Sequence, residues 1–335
     1  MGIRTRRRMT GYIKRNRGNF FMLVILVYQI AMVYAFSLLH EAIPGAVIFE
    51  KTWVLLVLTQ FLICAMPVVV VLIIRRKSAE PLRLYRPHKL GAVNFVLLLA
   101  ITVCVYPISI FISYVMLYIT PNTVAGMITG MNSESSLFLT FLSVAMIPAV
   151  FEETLFRGYL FAQYDSVSLK KAVVLNGVFF GLFHLNLHQL PYAFVLGVVF
   201  ALLVYYSRSL SASILIHFLL NAVSVMVSFA AAKNLGEAGM TETDAAEIFS
   251  LGTFVILAGI AVIAAVGLIL LMRVFIKHNR NRSAVRATAV STHDKLEDAN
   301  AATIGTDGPG RPFGMLFWII ILVYSAYMIY AGLSG

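Results

Sequence analysis

Long apolar runs dominate this chain and dictate its solvent. Nine stretches are apolar for most of their length: roughly 20–39, 53–74, 91–119, 137–162, 171–187, 190–206, 210–231, 250–272 and 313–332. A helix of about 20 such residues spans the hydrocarbon of a bilayer, where every backbone group must find its hydrogen bond within the segment. The expected fold is therefore all-α, a polytopic transmembrane helix bundle of about nine spans. Composition agrees, since 60% of the 335 residues are hydrophobic and only 12% are charged. A soluble domain of this size carries about twice that charge. The fifth and sixth spans are short and lie only a few residues apart, around His188-Gln189-Leu190-Pro191, so their ends are the least fixed.

The charges orient the bundle. Net charge is +11, and the positive residues sit between the apolar runs, as in Arg4, Arg6, Arg7, Arg8, Lys14, Arg15 and Arg17, then Arg75, Arg76, Lys77, Arg83, Arg86 and Lys89. With the N-terminus in the cytoplasm, nearly all Lys and Arg fall inside. The outer segments keep Lys51 and Lys233 and an acidic stretch near Glu237–Glu247. That asymmetry satisfies the positive-inside rule and places the protein in the cell membrane as a multi-pass chain, with a ninth span ending outside. Topology and anionic headgroups account for the high pI, so the expected partner is the lipid bilayer and not nucleic acid. The first apolar run, from Asn19 to Leu39, is too long for a signal-peptide core and reads as a retained anchor. The opening Met1-Gly2-Ile3-Arg4-Thr5-Arg6 lacks the hydroxyl residue of a myristoylation signal. Cys64 and Cys104 both lie in apolar runs, which suits buried hydrophobes and forbids a disulfide framework or a cysteine metal site.

These features divide the chain into a basic cytoplasmic N-terminus (1–19), accessory spans (20–134), a core of spans four to seven (135–232), an outer loop with the eighth span (233–277), a flexible cytoplasmic linker (278–312) and a detachable last span (313–335). The linker assignment rests on its polar, Gly- and Pro-containing composition.

Ionisable groups inside a span are costly, about 2.5–3.5 kcal/mol each at the helix centre on insertion scales. Here they gather in spans four, five and seven, as Glu152-Glu153 with Arg157, Phe180 with His184, and His217 with Asn221. Successive helical residues turn by about 100°, so Glu152 and Glu153 point to different sectors. Glu153 and Arg157, four apart, share a face in the favourable order. The pattern predicts that Arg157 clamps Glu153 while Glu152 is left to accept a proton. His217 and Asn221 are also four apart and aim two donors at one point. Phe180 lies one turn before His184 and walls its ring. Glu152, His184, His217 and Asn221 each fall within a turn or two of a span's midpoint, and helix tilt or a break near Pro148 must bring them together.

Such a set suits peptide hydrolysis: a desolvated carboxylate as general base for water, His184 to orient that water or carry a proton, and His217 with Asn221 as oxyanion donors. Carboxylate and imidazole are also zinc ligands, so a divalent metal, zinc, stays open at this stage. His184 and His188 have the spacing of a zinc-protease helix, but His-Glu-x-x-His is absent. Gly332-Leu333-Ser334-Gly335 has no helix after it to support a serine nucleophile, and no Gly-x-Gly-Asp aspartyl signature occurs. Each cluster taken singly has a structural reading as packing ion pair or interhelical glue. Three clusters in three spans within about 70 residues favour chemistry over that reading.

The ordered set resembles the CPBP family, also called the Abi or type II CAAX prenyl endopeptidase family, whose pattern is Glu-Glu-x-x-x-Arg, Phe-x-x-x-His and His-x-x-x-Asn. The resemblance covers about residues 135–225. It implies an intramembrane glutamate-dependent endopeptidase acting on a membrane-tethered protein or peptide, with CAAX proteins among the candidates. Glu152 and His184 would activate water, His217 and Asn221 would form the oxyanion hole, and Glu153, Arg157 and Phe180 would support the site. Family members have been described as metalloproteases, which keeps the metal open. A scaffold or bacteriocin-immunity factor of the same fold is the alternative. A small-solute transporter fits less well, because its polar sites are usually paired across two halves.

Overall fold

The computed structural model describes residues 16–75, 89–164, 167–238, 250–289 and 312–334. Most of the basic N-terminal segment, the basic loop before Lys89, the acidic loop and the 278–312 linker lies outside the described residues. What is described is helical, with no β-strand among the described residues.

All nine apolar runs form helices. We number them, together with Thr123–Glu134 and leaving the four-residue helix Val47–Glu50 unnumbered, as α1 (Arg17–Ala42), α2 (Thr52–Gln60, then Phe61–Ala65 and Met66–Arg75), α3 (Ala92–Met116), α4 (Thr123–Glu134), α5 (Leu137–Thr140 through to Phe161–Tyr164), α6 (Leu169–Phe183), α7 (Leu190–Ser207), α8 (Leu210–Ala238), α9 (Leu251–Ala289) and α10 (Met315–Ser334). Seven are long and apolar enough to cross a membrane. The other two apolar helices fall short of that measure: α6 has 15 residues, and the apolar stretch of the last is Met315–Ala331. α4 is the element that hydropathy alone does not show. Its start is capped by Asn122, whose side-chain oxygen accepts from the Ala125 N–H. α9 runs on to Ala289, through the first residues of the segment expected as linker.

α5 lies at the centre, contacting α2, α6, α7 and α8, while α9 packs along α3 and α10 along α1. Lipid gives helices no hydrophobic reason to associate, so close packing and polar contacts must hold them. Both are present. On α6, Gly177 and Gly181 face α7, and a Cβ on Gly197 would stand 2.7 Å from the Gly177 Cα. Only glycine allows that approach. Asn94 and Asn279 exchange two 2.9 Å hydrogen bonds between α3 and α9. Tyr164 donates to Asn19 at 2.7 Å, and Asn19 donates to the Pro312 carbonyl at 2.7 Å, joining α5, α1 and the start of α10. Large apolar side chains such as Ile256, Val262 and Ile263 point outward from α9, where lipid is the natural contact.

Three stretches of the long helices are wound as π-helix: Phe61–Ala65 in α2, and Phe141–Met146 and Thr154–Leu160 in α5. Such segments add a residue to a turn, rotate the helix beyond it, and favour functional sites. Here the two in α5 border the glutamates on either side, and the second holds Arg157. The break expected near Pro148 is therefore a winding change that ends just before it.

Candidate active site

Pro148 has no N–H to offer the Val144 carbonyl four residues earlier. The Asn221 side chain offers one instead, Nδ2 to Val144 O at 3.1 Å. Asn176 donates likewise to the Phe156 carbonyl at 3.0 Å, within the next π segment. Two side-chain amides thus hold the irregular backbone on either side of Ile147–Glu153, the helical turn that carries the glutamates.

The two carboxylates point apart. Glu153 is fully buried, and its Oε1 accepts from Arg157 Nη1 at 2.7 Å and lies 2.9 Å from His217 Nδ1. Arg157, equally buried, also donates from Nη2 to the Gly197 carbonyl at 3.2 Å and lies 4.2 Å over the Phe180 ring. The glycine contact between α6 and α7 is what brings that carbonyl within reach. Glu152 looks the other way. Its Oε1 accepts from Gln60 Nε2 at 2.8 Å. Its Oε2 is buried, has no hydrogen-bond partner among the described residues, and stands 4.0 Å from the Nε2 atoms of both His184 and His217.

Hydrogen-bond chemistry assigns the ring protons. A carbonyl only accepts, so His184 Nδ1, 2.7 Å from the Phe180 carbonyl, must carry hydrogen. An ionised carboxylate only accepts, so His217 Nδ1 donates to Glu153. Each neutral ring then presents a lone pair at Nε2. Three acceptors, Glu152 Oε2 and two imidazole nitrogens, face one small volume. That arrangement is stable only with a proton donor among them. A water hydrogen-bonding at about 2.8 Å spans a 4.0 Å gap without strain.

The same donor types suit zinc, and each ring nitrogen is backed by an acceptor in the manner of metal-bound histidine. The spacing does not suit it. Two ligands of a tetrahedral zinc ion stand about 3.4 Å apart, against 4.0 Å here. Among the described residues no group of three His, Cys, Asp or Glu side chains could hold a metal ion.

His184, His217, Glu152, Glu153, Arg157 and Phe180 thus come together in one cluster, buried except at His184, which is partly exposed. Phe180 contributes its ring edge-on to His184, centroids 5.0 Å apart, and also its carbonyl. Asn221 lies on the same helix as His217, but one of its two amide hydrogens is committed to Val144. His188 is elsewhere. α6 ends at Phe183, His184 caps it, and Leu185 turns left-handed at φ 47°. His188 is then beyond the helix, bonded to Ser113 Oγ at 2.7 Å and facing the Thr120 carbonyl at 3.2 Å. The zinc-helix spacing of His184 and His188 has no counterpart in space.

Residues 134–223 match the family model described as type II CAAX prenyl endopeptidase, Rce1-like. The match runs from the end of α4 into α8 and contains all three polar clusters. It is the family whose motif order the sequence carries, and it supports a CAAX-type intramembrane protease function on a membrane-associated substrate. Comparison with curated proteins and with solved structures finds no match. The motif reading missed Gln60, which donates to Glu152, and also Gln29 of α1, which donates to the Phe183 carbonyl beside His184 at 2.6 Å. Both were visible as lone amides inside apolar runs.

Proposed function

We propose that the chain is an intramembrane endopeptidase that hydrolyses a peptide bond of a membrane-tethered protein or peptide with water activated by Glu152 and His184. One observation carries this reading: the unpaired Glu152 Oε2 facing the Nε2 atoms of His184 and His217 at 4.0 Å each.

In the first step Glu152 takes a proton from water held between its Oε2 and His184 Nε2, and the hydroxide attacks the scissile carbonyl carbon. The peptide oxygen gains the charge. His217 meets it once Nε2 has taken a proton from solvent, a proton it keeps through the cycle, so that Nε2 donates to the oxyanion while Nδ1 stays on the Glu153 carboxylate at 2.9 Å. Asn221 supplies its second amide hydrogen. Glu152 then returns its proton to the leaving amine, which leaves a carboxyl and an amine as products. Arg157 and Phe180 hold Glu153 and His184 in place. In this reading residues 135–232 perform the reaction, and the basic segments lie in the cytoplasm.

The test is cleavage of a membrane-tethered peptide by full-length protein. Glu152→Ala and His184→Ala each abolish cleavage while the protein still inserts and folds. Wild-type activity in both variants would refute the catalytic reading and favour a scaffold.

A further inference from the structure

We propose that Gln60, on the second span, is a positioning residue of the active centre, holding one oxygen of Glu152 so that the other faces the two histidines. The proposal rests on the reading of Glu152 as the base.

Gln60 lies outside the matched region and outside the three motifs. Its Nε2 stands 2.8 Å from Glu152 Oε1, and its Oε1 accepts from Cys64 Sγ at 3.3 Å. These two contacts fix the amide. A carboxylate offers no donor, so the NH2 must face Glu152. A thiol is a weak donor, so the amide oxygen takes Cys64. The Gln60 side chain is therefore oriented from behind, by a residue of its own helix.

The consequence is for Glu152. The terminal torsion of a glutamate is broad and roughly two-fold, so an untethered carboxylate exchanges its oxygens freely. Gln60 holds Oε1, and only Oε2 is left toward His184 and His217. The donor also sets the carboxylate plane before any water is bound, which is preorganisation of the reacting atom.

The backbone is shaped for this contact. The π segment Phe61–Ala65 begins one residue after Gln60 and packs against Ile147–Glu153, which carries Glu152, and against Thr154–Leu160. Thr59, the preceding residue, returns its hydroxyl to the Leu56 carbonyl of its own helix. Gln60 instead reaches across to α5. An amide in a lipid-embedded helix is a burden unless it finds such a partner.

The test uses full-length protein and a membrane-tethered peptide. Gln60→Met keeps the length and removes the donor. It lowers kcat about 10–100-fold, the loss of one charge-assisted hydrogen bond, with KM unchanged, and it lowers the melting temperature because Glu152 Oε1 is left without its donor. The Glu152 carboxylate band, isolated by infrared difference against Glu152→Gln, moves in the same variant. If Gln60→Met does not insert, Gln60→Asn, which withdraws the amide by one methylene, is read the same way. An unmoved band overturns the proposal, and so does unchanged kcat when Glu152→Ala is inactive. Should the wild type cleave nothing, the protease reading fails, and the band alone decides whether Gln60 holds Glu152.

Discussion

Arg157 offers the sharpest test of how this site is held. It is fully buried, with Nη1 2.7 Å from Glu153 Oε1, Nη2 3.2 Å from the Gly197 carbonyl and its guanidinium 4.2 Å over Phe180. Arg157→Met keeps an apolar side chain on Phe180 but removes both hydrogen bonds and the charge. The lost charge-assisted bond alone is worth about 1.5–3 kcal/mol. The larger effect is on what remains, a fully buried Glu153 carboxylate with His217 as its partner. Removing one member of a buried pair costs about 3–5 kcal/mol, and the lost bond is already inside that figure. Denaturant unfolding of the full-length protein in mixed micelles measures it. Glu153→Gln combined with Arg157→Met removes both charges together, so the double variant is more stable than the sum of the singles by about 2–3 kcal/mol. A loss below about 1 kcal/mol in Arg157→Met, the range of an exposed pair, or an additive cycle, would refute the account of Glu153 and Arg157 as a buried clamp.

The other expectations are simpler. Gly197→Ala places a Cβ 2.7 Å from the Gly177 Cα and 3.1 Å from the Phe180 Cβ, so α6 and α7 must part, at about 1–3 kcal/mol, seen as a lower melting temperature and a lower kcat as Arg157 loses its carbonyl. His188→Ala removes the ring from the Thr120 carbonyl and from Ser113, which keeps only the long contact from the Asn122 amide at 3.5 Å, and lowers stability by about 1–3 kcal/mol, while kcat in the peptide assay is unchanged. A strong chelator followed by full metal removal leaves cleavage intact, because the site is spaced for water, and abolished activity restored by zinc would overturn that reading.

Much of the fold was legible because lipid simplifies the rules. Apolar length located α1 to α3 and α5 to α10 but not α4, and the three polar clusters stood out against that background. The direction of Glu152 and Glu153 was also legible, since a 100° step per residue separates them in almost any helical winding. What was hidden has physical causes. The helical wheel places His217 and Asn221 on one face, but it cannot show that Glu153 takes His217 Nδ1 or that Val144 takes an amide hydrogen of Asn221. Those partners come from another helix. The end of α6 at Phe183 depends on one left-handed residue, Leu185, which carries none of the usual signals for that conformation.

The π segments explain why the glutamate turn sits where it does. An α-helix through Pro148 would leave the Val144 carbonyl short of a donor, and the added residue of Phe141–Met146 moves that fault beside α8. There Asn221 meets it. The second π segment begins at Thr154, immediately after Glu153, and is met by Asn176 at Phe156. Ile147–Glu153 is thus a short α-helical turn between two irregular ones, each pinned by an amide from a neighbouring helix. Rotation of that turn would carry Glu152 away from the histidines and Glu153 away from His217 together. Asn221 therefore has a structural duty that precedes any role toward substrate, and so does the asparagine of α6 that no motif contains.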